Sequence, residues 1–208
     1  MNDDSVKTDV KSRIIQEATR LFASVGFNGT SVQAVAEAVG IRKSSLLYHF
    51  PSKEQLRSEV IEELLSHWTR EFPRMMHSAT TGTDRLNAAL SALIEFFQED
   101  CNRARLFVRE TLDRPQAVRE LLHQHLGPWT RMLTDYIRLG QDSGVVYKDL
   151  DPESYIVQVV LMTLCTTAAG NVTAAILDSE AAPSVESQLQ EVTRISRCAL
   201  FVPRPPGG

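Results

Sequence analysis

The chain has 208 residues, enough for a well-buried core in one or two compact units. With 43% hydrophobic and 23% charged residues it has the composition of a globular protein, which excludes disorder throughout. The net charge of −4 argues against a protein that coats nucleic acid. Residues 11–57 nevertheless contain seven Lys/Arg against three Asp/Glu, whereas residues 58–208 contain fourteen against twenty. A small basic segment on an acidic body is suited to local contact with a polyanion.

The three cysteines, Cys101, Cys165 and Cys198, are widely spaced and odd in number, so they predict neither a disulfide framework nor a zinc site. The N-terminal residues include acids and lack an apolar stretch, so we expect no signal peptide and a cytoplasmic protein. Residues 155–177 carry no charge and are long enough to span a bilayer, but polar side chains such as Gln158 interrupt them. We therefore expect no membrane span, and no motif indicates a cofactor or a metal.

The first predicted helix has an apolar stripe with a period of 3.6 residues and ends at Gly26. Its members are Ile14, Ala18, Leu21, Phe22 and Val25. A second stripe, only two turns long, covers residues 32–39. We expect Thr30 to cap this second helix, with Gln33 reaching back, and Gly40 to end it.

A third short helix is predicted over residues 43–50 and is closed by Pro51. Ser52 and Gln55 form a capping-box pattern that opens a longer fourth helix. We expect this helix to end near Phe72, because a proline follows.

The rest of the chain is also predicted to be helical, after a polar connection at residues 77–83. Gly127 and Pro128 should break one long pattern into two helices. The predicted helices cover residues 86–97, 106–112, 115–125, 129–141, 151–177 and 185–199. Almost no segment alternates with period two, so we predict an all-α fold.

The two short helices joined through Gly40 form a predicted helix-turn-helix, whose second helix enters the major groove of DNA. The residues expected to face inward are Val35, Ala36, Val39, Ile41, Leu46 and Phe50. Those left outside are Lys43, Ser44, Ser45, Tyr48 and His49, which suit phosphates and base edges. His49 could instead pack between helices. Lys53 lies at a helix N-terminus, where the helix dipole already favours a phosphate.

Four spaced motifs in this region resemble the DNA-binding domain of TetR-family transcriptional regulators. They are A-x-x-L-F-A-x-x-G-F (residues 18–27), T-S-V-x-x-V-A-x-x-V-G-I (30–41), L-Y-H-F (47–50) and S-K-E-x-L (52–56). The resemblance covers about a quarter of the chain. Many members have glycine where Ser44 stands and tyrosine where Leu47 stands, so the aromatic ring is displaced here to Tyr48.

The resemblance implies a homodimer that binds a palindromic double-stranded DNA operator and is most often a repressor released by a small-molecule effector. It implies DNA contacts from Gln33, Arg42, Lys43, Ser44, Ser45, Tyr48, His49 and Lys53. We assign residues 10–57 to an N-terminal DNA-binding domain with three helices and a helix-turn-helix. Residues 58–202 are assigned to a helical ligand-binding and dimerisation domain, and residues 1–9 and 203–208 to disordered tails.

Aromatic and methionine side chains in the second domain could line a mostly apolar effector cavity, or they could be ordinary core. The candidates are Trp68, Phe72, Phe97, Phe107, Trp129, Met132, Tyr136 and Met162. Arg109 and Glu110 could anchor a polar end of that ligand, or they could pair with neighbours on a solvated face. We expect an apolar or amphipathic effector, because acids and hydroxyls are sparse among these residues.

The dimer interface is expected in residues 155–177 and 185–202, where long apolar helices carry small side chains.

A different class remains possible: a helical-bundle small-molecule carrier or enzyme that does not bind DNA. The sequence contains no nucleotide-binding or catalytic motif that would favour an enzyme. A negatively charged surface at residues 40–53 would favour this alternative.

Overall fold

The computed structural model describes residues 3–78, 82–176 and 183–203. Within the helices, the side chains of residues 3–8, 68, 71–78, 82–83 and 173–174 fall outside the description. In these described ranges the regular structure is helical, apart from one antiparallel bridge between Val146 and Phe201. The predicted all-α fold is therefore confirmed.

The helices are α1 (Asp3–Ser24), α2 (Val32–Val39), α3 (Lys43–His49), α4 (Lys53–Ser78), α5 (Gly82–Glu99), α6 (Cys101–Asp113), α7 (Pro115–Asp142), α8 (Pro152–Thr173) and α9 (Val185–Leu200). A 3-10 turn, Ala174–Ile176, follows α8. Residues 3–9, expected in a disordered tail, are helical here. Residues 1–2 and 204–208 lie outside the described residues.

The turns around α2 follow local rules, with one difference from the sequence prediction. Ser31, not Thr30, caps α2, because the Ser31 side chain accepts a hydrogen bond from the backbone N–H of Ala34 at 3.0 Å. Thr30 Oγ1 instead donates to the Gly26 carbonyl at 2.8 Å and closes the preceding turn. Gly40 ends α2 with φ of 77°, a left-handed conformation that suits glycine.

Two helices continue where the sequence predicted an end. α4 passes through Pro73 to Ser78, and α7 is continuous through Pro128. A proline removes one helical hydrogen bond, but α7 has buried side chains on both sides of Pro128, Val118 before it and Thr134 after it. Packing of α7 against α4, α5, α6 and α8 thus outweighs the local break, and the predicted division at residues 127–128 is wrong.

Helices α1, α2, α3 and the first half of α4 form the head. Its core consists of fully or nearly fully buried side chains, including Ile14, Phe22, Val35, Leu46, Phe50 and Leu56. Leu106 of α6, 1% exposed, belongs to the same cluster. The head core therefore extends beyond residue 57 and is closed by a helix from the second half of the chain.

Helices α5 to α9, with the second half of α4, form the body. α8 has a central place, since α5, α6, α7 and α9 all pack against it. By length and composition its residues Pro152–Val172 could cross a membrane, and 28% of an 18-residue part of this stretch is buried inside the protein. The inner face of α8 supplies buried residues such as Val159 and Leu164 to the body core.

Candidate DNA-binding surface and ligand cavity

The outer face of α3 is polar and cationic. Leu46, 0% exposed, anchors the helix on the head core. The exposed side chains on the other face are Arg42, Lys43, Ser44, Ser45 and Tyr48, the last 75% exposed. Within the described chain, neither Arg42 nor Lys43 makes an ion pair. These cations are free to meet an anion from solution.

Other cations of the head are already engaged within it. Their partners are Glu59 for Lys11 (3.0 Å), Glu17 for Arg20 (2.8 Å) and the Val39 carbonyl for Arg13 (2.6 Å). The uneven charge seen in the sequence is therefore partly neutralised by neighbours. The free positive charge of the described head concentrates at the start of α3.

Gln33 and His49, two further predicted DNA contacts, lie on α2 and at the end of α3. Gln33 is exposed on α2, and its Nε2 donates to Glu37 Oε1 at 2.7 Å. His49 is half-buried at the end of α3, where its ring meets the ring of Tyr48 edge-on at 5.4 Å. Gln33 thus remains accessible on its outer face, while His49 takes part in packing on α3.

Lys53 holds the start of α4 against the turn between α1 and α2. Its Nζ donates to the carbonyls of Phe27 at 2.7 Å and Thr30 at 2.8 Å. The ammonium also lies 4.2 Å from the centre of the Phe27 ring, a cation–π distance. An ammonium has three N–H groups, so one remains for another acceptor. Lys53 therefore has a structural role in the head.

A buried ion pair joins the head to the body. Arg57 Nε, on α4, donates to both carboxylate oxygens of Glu110 on α6, at 2.7 and 2.9 Å. The two side chains are only 9% and 4% exposed. The guanidinium lies 4.2 Å from the Phe27 ring centre, and its buried Nη2 is 4.0 Å from Asp113. No local signal in the sequence predicts this pair, because its members are 53 positions apart.

The neighbouring Arg109 makes a second link. Its Nη2 donates to the Ser24 carbonyl at the end of α1, at 3.3 Å. Arg109 and Glu110 therefore both contact the head. Both pair with neighbours, but Glu110 does so in a buried position and not on the solvated face expected from the sequence. Phe107 and Thr111, on the same stretch of α6, line a cavity in the body. One short segment of α6 thus touches both regions.

That cavity has a volume of about 970 Å³ and a mostly apolar wall. Among its lining residues are Leu86, Leu90, Leu93, Phe96, Phe97, Phe107, Trp129 and Leu164. Of the candidates predicted from the sequence, Phe97, Phe107 and Trp129 line it. Its size falls at the upper end of the range of roughly 300–1,000 Å³ that is usual for small-molecule pockets.

The remaining candidates lie elsewhere. Met132 packs in the cluster around Phe96, and Met162 packs beside Leu90. The Tyr136 hydroxyl bonds to an arginine of α5 and lines a different cavity. The side chains of Trp68 and Phe72 lie outside the described residues.

The large cavity has a polar edge. Its exposed polar lining residues are Thr111, Gln116, Arg119, Glu120, His123 and Thr130. All of them come from residues 111–130, so the edge lies on one side, along the end of α6 and the first half of α7. The cavity can therefore hold an apolar group inside and a polar group at its mouth.

Tyr155 adds a neutral hydroxyl to the cavity wall. Its O–H donates to the Ser196 carbonyl at 3.0 Å, joining α8 to α9. Burial raises the pKa of Tyr155 to about 12, because the phenolate is desolvated. The side chain is therefore uncharged at neutral pH.

Comparisons with known proteins agree with this geometry. The model for bacterial regulatory proteins of the tetR family matches residues 14–60, which include α2 and α3. The HTH-type transcriptional regulator LmrA of Bacillus subtilis (strain 168) is 30% identical over 135 residues, 62% of this chain and 72% of the relative. The HTH-type transcriptional repressor DhaR of Mycobacterium sp. (strain GP1) is 26% identical over 148 residues, 71% and 75% of the two chains.

A solved structure extends the likeness to the body. The ketosteroid transcriptional regulator KstR2 of Mycobacterium tuberculosis has a TM-score of 0.70 at 20% identity, covering 93% of this chain and 95% of that one. A negatively charged surface at residues 40–53 would have favoured the alternative of a carrier or enzyme, whereas the exposed cations Arg42 and Lys43 lie there. The chain is a DNA-binding transcriptional regulator, not an enzyme, and belongs to the tetR family of bacterial regulatory proteins.

Proposed function

We propose that the protein is a cytoplasmic repressor that binds a palindromic operator as a homodimer and is released by an amphipathic effector. The observation that carries the DNA-binding part is the outer face of α3, where Arg42 and Lys43 are exposed and free of ion pairs within the described chain. DhaR and other relatives are named as repressors, which supports that sense of regulation.

The DNA contacts follow from the residue types on this face. Cations and hydroxyls bind phosphates, while hydroxyls and amides also bind base edges. Arg42 and Lys43, at the start of α3, would meet phosphates, and Ser44, Ser45 and Tyr48 would face the groove. Gln33 would approach from α2 and His49 from the end of α3. Lys53 would offer its third N–H to a phosphate while its other two hold the head together.

The dimer would form through α8, the 3-10 turn that follows it and α9, which expose apolar side chains to solvent in the single chain. Val157 is 54% exposed, Val172 75%, Ile176 84% and Ile195 40%. An apolar face of this kind marks an interaction surface. A second copy is the fitting partner, because a helix-turn-helix protein reads two half-sites by presenting two recognition helices roughly 34–36 Å apart.

The effector would occupy the cavity of about 970 Å³. Its apolar part would lie against the leucine and phenylalanine wall, and its polar end would lie at the edge formed by residues 111–130. Effector binding need favour the non-binding arrangement of the heads by only about 1–3 kcal/mol to weaken operator binding five- to a hundredfold.

Transmission would run through α6. α4 also runs from the head into the body. α6 offers a shorter route, because Phe107 and Thr111 line the cavity while Arg109 and Glu110 hold the head. A ligand that displaces this stretch of α6 would move the head directly.

Selection of bound duplexes from a random DNA pool with the purified protein tests the DNA-binding proposal. We expect a palindrome whose half-sites are about one helical turn apart, and a dimer by light scattering at micromolar concentration. Recovery of no common sequence, or a monomer bound to a single half-site, would contradict the proposal.

Variants of the cavity wall test the effector proposal. Leu93→Trp should fill the cavity and Trp129→Ala should enlarge it, so both should alter the response to an effector found by screening amphipathic compounds. Operator affinity of the free protein should stay nearly unchanged, because neither residue lies in the head. If both variants respond as the wild type does, the effector binds elsewhere.

A further inference from the structure

A second, smaller cavity lies in the body. Its volume is about 330 Å³, and it is lined by the start of α5, the last turns of α7 and the bridge between Val146 and Phe201. Leu86 lines both this cavity and the larger one, so the two cavities share this side chain as part of their walls. We propose that the smaller cavity is a binding site for a small monocarboxylate with an apolar body, independent of the effector site.

The cation in this cavity is Arg85. Its Nη1 donates to the hydroxyl of Tyr136 at 2.9 Å, and its guanidinium carbon lies 4.9 Å from the centre of the same ring. Its Nε is buried and has no hydrogen-bond partner in the described chain. Buried polar atoms in proteins nearly always have a partner, so the guanidinium of Arg85, which lines the cavity, uses only part of its hydrogen-bonding capacity.

The charge of the site favours an anion. No ion pair of Arg85 is found among the described residues, and no acidic residue belongs to the described lining of this cavity. A carboxylate matches the two-pronged geometry of a guanidinium, and charge-assisted hydrogen bonds of this kind are among the strongest in proteins. The Tyr136 hydroxyl would orient the guanidinium from the other side.

The other lining residues of the small cavity indicate the chemical character of the rest of the ligand. Leu139, Val145, Val146 and Phe201 are apolar, and the hydroxyl of Ser143 already donates to the Gly140 carbonyl at 3.1 Å. A single cation among apolar walls suits one negative charge better than a dianionic phosphate, because the second charge would be desolvated without a partner. The volume lies at the small end of ligand pockets, which suits a molecule with one ring or a short chain.

Calorimetric titration of the full-length protein with benzoate tests this proposal, with benzamide as the neutral molecule of the same shape. We expect saturable binding of benzoate and none of benzamide. Arg85→Gln should weaken benzoate binding by roughly tenfold or more, because it removes the charge-assisted bonds. Arg85→Lys should keep part of the affinity, since it keeps the charge without the fork.

Two control variants separate this site from surface charge and from the larger cavity. Arg138→Gln removes an exposed arginine of α7 that pairs with Asp135 and Glu153 on the surface, and it should leave benzoate binding unchanged. Leu93→Trp, in the wall of the larger cavity only, should also bind benzoate normally. Absence of benzoate binding to the wild type, or equal binding by Arg85→Gln, would overturn the proposal and leave Arg85 as a hydrated structural side chain. Neither result would touch operator binding, which is measured separately.

Discussion

The head and the body of this protein are built on opposite principles. The head has a closely packed core in which Phe22, Leu46 and Leu56 are at most 1% exposed. The body leaves about 970 Å³ unfilled between α4, α5, α6, α7 and α8. A head that places side chains against DNA needs a fixed shape, whereas a body that holds the proposed effector cannot be filled by its own side chains. The head is therefore the closely packed region of the described chain, and the body is the region with room for a ligand.

The largest difference should appear when the same substitution is made in the two regions. Leu46→Ala in the head should lower the free energy of unfolding by about 3–5 kcal/mol, because the side chain is completely buried and leaves a void. Leu93→Ala in the cavity wall should cost only about 1 kcal/mol, because it enlarges a space that already exists. Urea unfolding of both variants checks this. Equal losses would mean that the body is packed as tightly as the head.

The buried ion pair between the head and the body should give the next largest change in the free energy of unfolding. Glu110→Ala should cost about 3 kcal/mol, because it leaves the guanidinium of Arg57 buried without its carboxylate. Arg57→Met with Glu110→Leu should cost less than the sum of the single changes, since no charge remains buried. Urea unfolding of the double variant and of its two single variants completes the cycle. Simple additivity would show that the two side chains do not depend on each other.

The double variant also tests whether the ion pair transmits effector binding from the body to the head. If α6 transmits effector binding to the head through this pair, the double variant should bind operator while responding less to the effector. A full effector response in the double variant would indicate that Arg109, or the packing around Leu106, transmits effector binding to the head.

Two lysines of the head should separate stability from recognition. Lys53→Ala should lower the free energy of unfolding by about 1–2 kcal/mol, because Nζ bonds two carbonyls of the turn before α2. Lys43→Ala, at an exposed side chain without an ion pair in the described chain, should leave stability within about 0.5 kcal/mol of wild type. Thermal unfolding of the two variants measures this contrast. If Lys53→Ala is as stable as the wild type, Lys53 does not stabilise the head and its role is confined to DNA binding.

A smaller effect depends on pH. Burial raises the pKa of Tyr155 to about 12 from an ordinary value of 10.0, so folding favours the protonated hydroxyl. The stabilisation is fully present below pH 10 and is lost as the pH rises from 10 to 12. Between about pH 9 and about pH 11, urea midpoints should therefore fall less for Tyr155→Phe than for the wild type. The same fall in both proteins would show that this hydroxyl does not contribute.

Much of the head could be predicted from the sequence because its signals are local. The spacing of Val35, Ala36 and Val39, the glycine at 40 and the cap at Ser52 all act within a few residues, and the last accepts from the Gln55 N–H at 3.0 Å as predicted. Even here, the cap of α2 is Ser31 and not the predicted Thr30, because the two residues are adjacent and either hydroxyl could serve as the cap.

The body was less predictable because its features depend on tertiary packing. Nothing near Arg57 in the sequence indicates that a glutamate 53 positions later will neutralise it. Whether an aromatic residue such as Trp129 or Tyr136 faces the large cavity depends on the rotation of α7 against its neighbours, which a periodic pattern leaves open. The continuity of α7 through Pro128 has the same cause, since buried contacts on both sides outweigh one missing hydrogen bond.

The most direct test of the DNA-binding surface compares loss of charge in the head with the same loss in the body. A duplex recovered by selection is titrated by fluorescence anisotropy with the wild type, with Arg42→Ala/Lys43→Ala and with Arg119→Ala/Arg138→Ala. All four side chains are exposed, and each double variant removes two positive charges. We predict at least a roughly tenfold loss of affinity and a shallower salt dependence for the head variant only. Equal losses in the two variants would mean that general charge, not the surface of α3, binds the DNA.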